Sequence, residues 1–353
     1  MTIQFYWFAP TSGDGQYVGT QKPERPPTLD YLVSIAQKAE EAHFDGILIP
    51  TGTPYLDAWM VGSAIIHATK SISPLVAFRP GFISPTVAAK MASTLDEFSR
   101  GRLMVNLVAG GSSVELGQDG DFLEHDLRYE RADEFLDIIT NLWKGQLVDY
   151  QSNFYKVEKA NLIPKNYQNR NLPIYFGGSS HAAKEVAAKY ANVYLQWGEP
   201  ANEIRQQLQD VQERAKAYNR SLEFGIRIHI IVRDTEEEAW KAAHHLLSEV
   251  NTKVKNKMST YYKEADSVAQ KRMNNLLTGD YRFGKYKWAG IGTVRKGAGT
   301  AIVGTPKQVR EGLQEYIDLG VTHFILSGYP HLEEVERFGE LVMPLFKSNE
   351  VLA

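Results

Sequence analysis

Short apolar segments alternate with amphipathic helical segments along most of the chain. Eight of the apolar segments are rich in the β-branched and aromatic residues of strands, at about 3–10, 46–50, 74–80, 103–110, 173–178, 193–198, 224–233 and 322–328. Residues spaced for one apolar helix face predict helices at 28–43, 57–70, 85–99, 130–144, 181–191, 201–219, 235–250, 306–320 and 331–347. Eight such repeats, without a Pro/Ser-rich linker or a break in composition, predict one α/β domain, a (β/α)₈ TIM barrel, rather than two domains.

Two segments lie outside the eight predicted strand–helix repeats and are predicted insertions. Residues 147–158, LVDYQSNFYKVE, predict a β-hairpin with its turn at 151–153. Residues 251–304, rich in Lys, Tyr and Gly, lie between the seventh and eighth strands. Loops this long inside a compact domain are usually lids or disordered segments. We therefore expect a single domain over 1–353 with a mobile lid between strands seven and eight.

The composition limits the classes of function. The 353 residues are 43% hydrophobic and 23% charged, which is typical of a globular protein with a sizeable core. A net charge of −3 gives no electrostatic basis for binding nucleic acid or anionic membranes. Because cysteine is absent, disulfides and thiolate chemistry are excluded. The start of the chain lacks a signal-peptide pattern and no apolar run approaches the roughly 20 residues that span a bilayer, so we expect a cytoplasmic protein.

The seventh predicted strand, in EFGIRIHIIVRD, carries two polar side chains on one face. Side chains alternate along a strand, so Arg227 and His229 share one face while the isoleucines share the other. A strand with one solvated side is the simple alternative. Barrel active sites, however, lie at the carboxyl ends of the strands, and polar residues recur at these ends: Thr11–Asp14, Thr51, Arg79, Asn106, Trp197–Glu199 and Ser327–His331. This clustering favours a lined pocket.

Two glycine-rich turns add candidate anion-binding groups. In YFGGSSHAAKE a strand runs through Gly177–Ser180 into a helix, whose free N–H groups would stabilise an anion; a simple helix cap by Ser180 is the alternative. In GIGTVRKGAGTAIVG, Arg295 and Lys296 stand among glycines, and solvated surface charge is the alternative there. No His, Asp or Glu cluster has the spacing of a metal site or of a glycosidase carboxylate pair. The predicted pocket is cationic and aromatic, with residues such as Arg227, Arg295 and Trp197. Such a pocket would suit an anionic substrate and a planar phosphorylated cofactor.

Ten motifs stand in a fixed order along the chain: PTSGDG, ILIPTG, DAW, SPTVAAK, RYE, YFGGSS, LQWGEP, FGIRIHIIVR, WAGIGTVRKGAGTAIVG and SGYPHLEE. As a set they resemble those of the alkanesulfonate monooxygenases, two-component flavin enzymes of the bacterial-luciferase-like type, over nearly the full chain. The resemblance implies a (β/α)₈ barrel and a homodimer or homotetramer. It also implies that a separate NAD(P)H-dependent FMN reductase supplies reduced FMN (FMNH₂), which is used with O₂ to convert an alkanesulfonate to sulfite and an aldehyde.

The resemblance assigns roles to residues that match the family's motifs. It implies that FMN is contacted, with the serines at its phosphate, by Asn106, Glu115, Arg128, Tyr129, Ser179, Ser180 and Trp197. It places around the sulfonate and the reactive flavin face Arg227, His229, Arg295, Tyr329 and His331. The planar fork of an arginine can bind sulfonate oxygens through two parallel hydrogen bonds. We expect His229 to donate or accept a proton, and Arg295 to enter the site when the lid closes over reduced flavin.

Two positions depart from the family's pattern. Ser12 stands where relatives commonly have the histidine of PTHGDG, and Tyr55 stands where they have the cysteine of PTGRSCEDAW. A phenol is larger than a thiol and can stack or donate a hydrogen bond, so we expect a different pocket size and substrate. Another organosulfur substrate, a deazaflavin-dependent oxidoreductase, a non-catalytic flavin-binding barrel and a phosphosugar isomerase or aldolase stay open as alternatives.

Overall fold

A computed structural model describes residues 2–167, 171–264 and 267–347. Its strands are β1 (Gln4–Phe8), β2 (Gly46–Ile49), β3 (Ser73–Phe78), β4 (Met104–Leu107), β5 (Val148–Gln151), β6 (Lys156–Ala160), β7 (Ile174–Gly177), β8 (Val193–Trp197), β9 (Glu223–Val232), β10 (Arg282–Phe283), β11 (Lys287–Trp288), β12 (Ala301–Gly304) and β13 (His323–Ser327). Eight of them pair in parallel in the order β1–β2–β3–β4–β7–β8–β9–β13, and β13 returns to β1. This closure confirms the predicted (β/α)₈ TIM barrel.

Helices lie between the barrel strands and cover the outside of the barrel. They are α1 (Leu29–Glu41), α2 (Ala58–Ala68), α3 (Pro85–Ser99), α4 (Ser113–Gln118), α5 (His125–Trp143), α6 (His181–Tyr190), α7 (Ala201–Ala217), α8 (Glu236–Leu246), α9 (Thr252–Glu264), α10 (Val268–Asn275), α11 (Pro306–Ile317), α12 (His331–Leu341) and α13 (Pro344–Lys347). Several begin at side chains that accept a backbone N–H, as Thr28, Asp57 and Ser84 do. None of the described helices is both long and apolar enough to cross a bilayer.

The alternation of side chains along β9 determines which groups face the barrel interior. Ile226, Ile228 and Ile230 pack outward in the layer between strands and helices. Arg227 and His229 consequently point inward, where both reach Ser327 on the neighbouring strand β13. The strand is therefore polar on one side as the sequence predicts, and that side is buried instead of solvated.

Aromatic side chains fill the barrel interior near the amino ends of the strands. The hydroxyls of Tyr6 and Tyr175 lie 2.7 Å apart, and the His323 ring stacks on Tyr6 with centroids 5.9 Å apart. Leu75 and Met104 pack in the same interior cluster. Because side chains fill the interior near the amino ends of the strands, the polar side chains near the carboxyl ends face a separate space at that end of the barrel.

Both insertions have secondary structure of their own. β5 and β6 form the antiparallel hairpin predicted in 147–158, with its turn at 152–155 instead of 151–153. The second insertion contains α9, α10, the β10–β11 hairpin and a short 3₁₀ helix, Gly290–Thr293. It ends in β12, which pairs in parallel with β9 from Ala301–His229 to Gly304–Val232. The expectation of a long loop therefore missed this extra strand, because a four-residue apolar run beside glycines carries little periodicity.

Candidate active site

A large cavity opens at the carboxyl ends of the barrel strands. Its volume of about 670 Å³ is in the range of cofactor and small-molecule sites. The second insertion forms the roof, with Met258, Tyr261 and the segment 267–270 facing the cavity. Most residues that the sequence assigns to the site line it: Asn106, Glu115, Tyr129, Ser179, Ser180, Trp197, Arg227, Arg295 and Tyr329.

Arg227 presents a buried positive charge to this cavity. Its guanidinium carbon lies 4.5 Å from the centroid of the Phe8 ring, a favourable cation–π arrangement. Nη2 donates to Oγ of Ser327 at 2.8 Å, and Nη1 donates to the carbonyl oxygen of Ile228 at 3.0 Å. All of these partners are uncharged. The protein therefore orients the guanidinium without neutralising it.

Arg295 brings a second cation to the same place from the second insertion. Its guanidinium carbon lies 5.3 Å from the Phe8 centroid. Nε donates to the hydroxyl of Tyr329 at 3.1 Å, and Nη1 donates to the carbonyl oxygen of Ala298 at 3.1 Å. Burial, and next the charge of Arg295, lower the pKa of Arg227 to about 9.

Arg227 and Arg295 form what we call the arginine pair. Over residues 2–167, 171–264 and 267–347, neither guanidinium has an ion pair with a carboxylate. Arg227 is buried and Arg295 is partly buried, and two such like charges without a counterion destabilise the protein unless an anion joins them. The geometry of the arginine pair therefore favours an anionic ligand.

Arg79, which the sequence places in the same cationic pocket, is neutralised. Its Nη2 donates to Oε1 of Glu115 at 2.6 Å and its Nη1 to Oδ2 of Asp119 at 3.2 Å. Glu115 also accepts the backbone N–H of Thr53 at 3.1 Å, and Lys296 lies 3.9 Å from its other oxygen. The short helix α4, which the sequence pattern did not reveal, brings these carboxylates to Arg79. In the described ranges no group of three His, Asp or Glu side chains could hold a metal ion.

The two histidines assigned to the reacting centre lie behind the cavity wall. His229 is fully buried, and its ring stacks on Tyr329 at a centroid distance of 5.5 Å. His331 is also buried and packs edge-on against Tyr329 at 5.1 Å. Burial, and next the charges of Arg227 and Arg295, hold the pKa of each histidine well below its usual value. Both are therefore neutral near pH 7, and Tyr329 is the neighbour that contacts the cavity.

The turn after β7 forms a cradle in the cavity wall. Gly178 has φ +144°, and a Cβ at this position would lie 2.5 Å from Cβ of Ala183 and 3.2 Å from the hydroxyl of Tyr129. Ser180 caps α6, because its Oγ accepts the N–H of Ala183 at 3.2 Å. Its hydroxyl proton, like that of Ser179, can still be donated into the cavity. Hydroxyl donors at a helix N-terminus fit the phosphate group of FMN.

The other expected cofactor residues differ in their access to the cavity. Asn106 lies on the inward face of β4, and Trp197 ends β8 beside Gly297 of the second insertion. Arg128 is 2% exposed and donates through Nη1 to the carbonyl oxygen of Leu123 at 2.8 Å. It therefore supports the start of α5 from behind the cavity wall.

Arg272, on α10, is a site residue that the sequence interpretation missed. Its Nη2 donates to Oγ of Ser179 at 2.8 Å and to Gln207 at 3.0 Å, and its Nε donates to Oε2 of Glu199 at 2.6 Å. Glu199 is 1% exposed, so it requires a cationic partner. The glutamate at the end of the sixth strand was thus the available signal, but sequence spacing could not identify a partner 73 residues away.

The two residues that depart from the alkanesulfonate monooxygenase pattern both line the cavity. Ser12 belongs to the loop after β1, and Tyr55 to the loop after β2. The Tyr55 ring packs edge-on against Phe8, with centroids 6.3 Å apart. Because Phe8 lies under both guanidiniums of the arginine pair, the added phenol narrows the space next to the candidate anion site.

The fold and this cavity define a TIM barrel with a candidate site at the carboxyl ends of its strands. A sequence model described as luciferase-like monooxygenase matches residues 3–323. This chain belongs to that family.

Solved structures support the same fold. A riboflavin lyase, determined with modified FMN and its substrate riboflavin, is 19% identical with a TM-score of 0.83, covering 99% of this chain and 92% of that chain. A long-chain alkane monooxygenase is 21% identical with a TM-score of 0.74, and the match covers 99% of this chain and 92% of that chain. The EDTA monooxygenase from Chelativorans sp. BNC1 is 16% identical with a TM-score of 0.74, covering 99% and 94%. At these identities the likeness concerns the fold.

Proposed function

We propose that this protein is a two-component monooxygenase that uses FMNH₂ and O₂ to convert an alkanesulfonate to an aldehyde and sulfite. The observation that carries the proposal is the arginine pair, a buried guanidinium and a partly buried one that share the Phe8 ring and have no carboxylate partner among the described residues. A sulfonate is a fixed anion with three acceptor oxygens, so it complements two arginine forks. Family membership supports the monooxygenase class.

The cradle after β7 would hold the phosphate of FMN. Ser179, Ser180 and Tyr129 offer hydroxyl donors there, together with the N-terminus of α6. Asn106 and Trp197 would contact the rest of the cofactor, and Glu115 would do so while holding Arg79. Reduced FMN supplies the electrons with which O₂ is activated.

The protein's own side chains would bind, orient and shield the substrate. Arg227 and Arg295 would anchor the sulfonate and stabilise negative charge that develops near it. The Tyr329 hydroxyl accepts a hydrogen bond from Arg295, so its own proton can be donated to an oxygen in the cavity. Met258 and Tyr261 in the roof would exclude water from the reacting atoms.

The proposal includes partners that the single chain does not contain. A separate NAD(P)H-dependent FMN reductase would deliver the reduced cofactor, and the protein would act in the cytoplasm as a homodimer or homotetramer. Tyr55 and Ser12 are expected to select a sulfonate of different size from those of alkanesulfonate monooxygenases, because both line the cavity.

The decisive experiment measures sulfite release from a panel of sulfonates with a flavin reductase, NAD(P)H and FMN, in air and under argon. We expect sulfite from at least one sulfonate in air and none under argon. Hydrogen peroxide without sulfite from any sulfonate would disprove the substrate but leave the flavin assignment. Turnover under argon with a reduced deazaflavin would show an oxidoreductase instead, and failure to bind reduced FMN would show that the barrel is not a flavin enzyme.

We also propose that the second insertion is a mobile lid. Limited proteolysis within 251–300 is expected to slow several-fold when reduced FMN is bound, since the roof segment 267–270 faces the cofactor cavity. Cleavage in the exposed hairpin between β5 and β6 serves as the control and should not change. Equal cleavage rates within 251–300 with and without reduced FMN would exclude lid closure on the cofactor.

A further inference from the structure

A continuous chain of hydrogen bonds links the two members of the arginine pair behind the cavity wall. Nη2 of Arg227 donates to Oγ of Ser327 at 2.8 Å, and this Oγ lies 2.6 Å from Nδ1 of His229. Nε2 of His229 lies 3.0 Å from the carbonyl oxygen of Ala298. The same carbonyl oxygen accepts from Nη1 of Arg295 at 3.1 Å.

The donors at the two ends, Arg227 and Arg295, and the carbonyl oxygen of Ala298 determine every proton in this chain. A carbonyl oxygen only accepts, so His229 must carry its proton on Nε2 and donate it to Ala298. Nδ1 of the neutral ring is then an acceptor, which requires the Ser327 hydroxyl to donate to it. Ser327 in turn uses a lone pair to accept from Arg227. Both nitrogens of His229 are thereby committed.

Among the described residues, the charged and titratable groups that face His229 are positive or neutral, and none is a carboxylate that would stabilise a protonated ring. Arg227 from β9 and Arg295 from the second insertion are positive, and the rings of Tyr329 and His331 adjoin it from the segment after β13. Burial adds to this by lowering the pKa of His229 well below its usual value. Protonation would add a third positive charge to the arginine pair, so the ring is held in one tautomer.

We infer that His229 and Ser327 are positioning residues that hold Arg227 and Arg295 in place to bind one anion, and that His229 is not the proton carrier of the reaction. The His229 ring contacts Ser327, which orients Arg227 on β9. It also contacts the carbonyl oxygen of Ala298, which orients Arg295 on the second insertion. The identity of the anion as a sulfonate rests on the proposed function, whereas the positioning role does not.

Long-range ¹H–¹⁵N correlation spectra of the histidines test the tautomer directly. We expect His229, assigned by comparison with a His229→Gln variant, to show the neutral Nε2–H pattern throughout pH 6 to 8. A ring protonated on both nitrogens, or on Nδ1 alone, within this range would overturn the inference. The result does not depend on whether any sulfonate is a substrate.

Calorimetric binding of inorganic sulfate and of pentane-1-sulfonate tests the positioning role. Ser327→Ala is expected to raise both Kd values about tenfold, because Arg227 loses the acceptor that orients it. The matched control is Ser93→Ala, which removes a buried hydroxyl that has no hydrogen-bond partner among the described residues and should leave both values unchanged. His229→Phe, which loses both contacts, should bind sulfate more weakly than His229→Gln, which keeps a donor for Ala298.

Thermal unfolding of each variant separates a local loss of anion binding from a general loss of structure. The inference requires Ser327→Ala to retain a cooperative transition while its Kd rises, and requires both Kd values of the unchanged protein to stay flat from pH 6 to 8. Unaltered Kd values in Ser327→Ala, or no sulfate binding by the unchanged protein, would overturn the positioning role. A failure of the sulfite assay alone would instead overturn only the proposed substrate.

Discussion

Replacement of Arg227 by methionine is expected to raise the Kd for pentane-1-sulfonate by at least about a hundredfold. The substitution removes a fork able to form two charge-assisted hydrogen bonds, each worth roughly 1.5–3 kcal/mol. Arg227→Lys should lose less, about tenfold, because it keeps the charge but not the planar fork. Isothermal titration calorimetry measures both effects, with Arg205→Met on the exposed face of α7 as the control.

The same substitution is expected to leave the fold as stable as before or more stable. The depressed pKa of Arg227 reflects the cost of burying its charge, first through desolvation and next through repulsion by Arg295. Methionine fills a similar space without that cost. A variant that binds sulfonate poorly yet unfolds at a lower temperature than the unchanged protein would show that Arg227 is structural rather than ligand-binding.

Replacement of Arg272 by methionine is expected to lower the free energy of unfolding by roughly 3–5 kcal/mol, because it leaves the carboxylate of Glu199 buried without a cation. The Glu199 carboxylate would keep Gln207 as a neighbour, with Nε2 of Gln207 at 3.4 Å from Oε2 of Glu199. The double variant Glu199→Gln/Arg272→Met should recover most of the loss. Urea unfolding of the two single variants and the double variant completes this double-mutant cycle. Strictly additive losses in the free energy of unfolding would contradict the pairing of Glu199 with Arg272.

The defect of Arg272→Met should also depend on pH. Burial already raises the pKa of Glu199 despite the bond to Arg272, and removal of the cation raises it further. A carboxyl group whose pKa is raised in the folded state favours folding below its unfolded pKa and loses that contribution as pH rises through the folded value. The variant should therefore be nearest to the unchanged protein at acidic pH and most destabilised near neutrality.

Much of the barrel could be predicted from the sequence because its signals are local. All eight barrel strands lie where apolar runs predict them, and the inward placement of Arg227 follows from the two-residue period of a strand. The helices are displaced by a few residues at their ends. For example, α5 begins at His125 instead of 130, because its polar first turn carries no apolar periodicity.

The pairing of charges could not be predicted in the same way. Arg79 and Arg227 are similar in sequence context, since each follows or occupies a strand and faces the same cavity. The structure neutralises Arg79 through Glu115 and leaves Arg227 without a carboxylate partner in the part of the chain that it describes. Such differences depend on contacts between distant segments, which periodicity does not encode. The role of Arg272 could not be predicted for the same reason, because its partner Glu199 lies in a distant segment.

The extra strand β12 divides the second insertion into two mechanically different parts. Its backbone is bonded to β9 from His229 to Val232, and Arg295 lies between this strand and the 3₁₀ helix that precedes it. Among the described residues α9 has no such attachment, whereas α10 is held to the barrel by the bonds of Arg272 to Glu199 and Ser179. Homologous proteins could therefore exchange or shorten α9 to admit other substrates while α10 and the cation stay in register with the barrel. The insertion thus separates a part free to diversify from a part constrained by the chemistry.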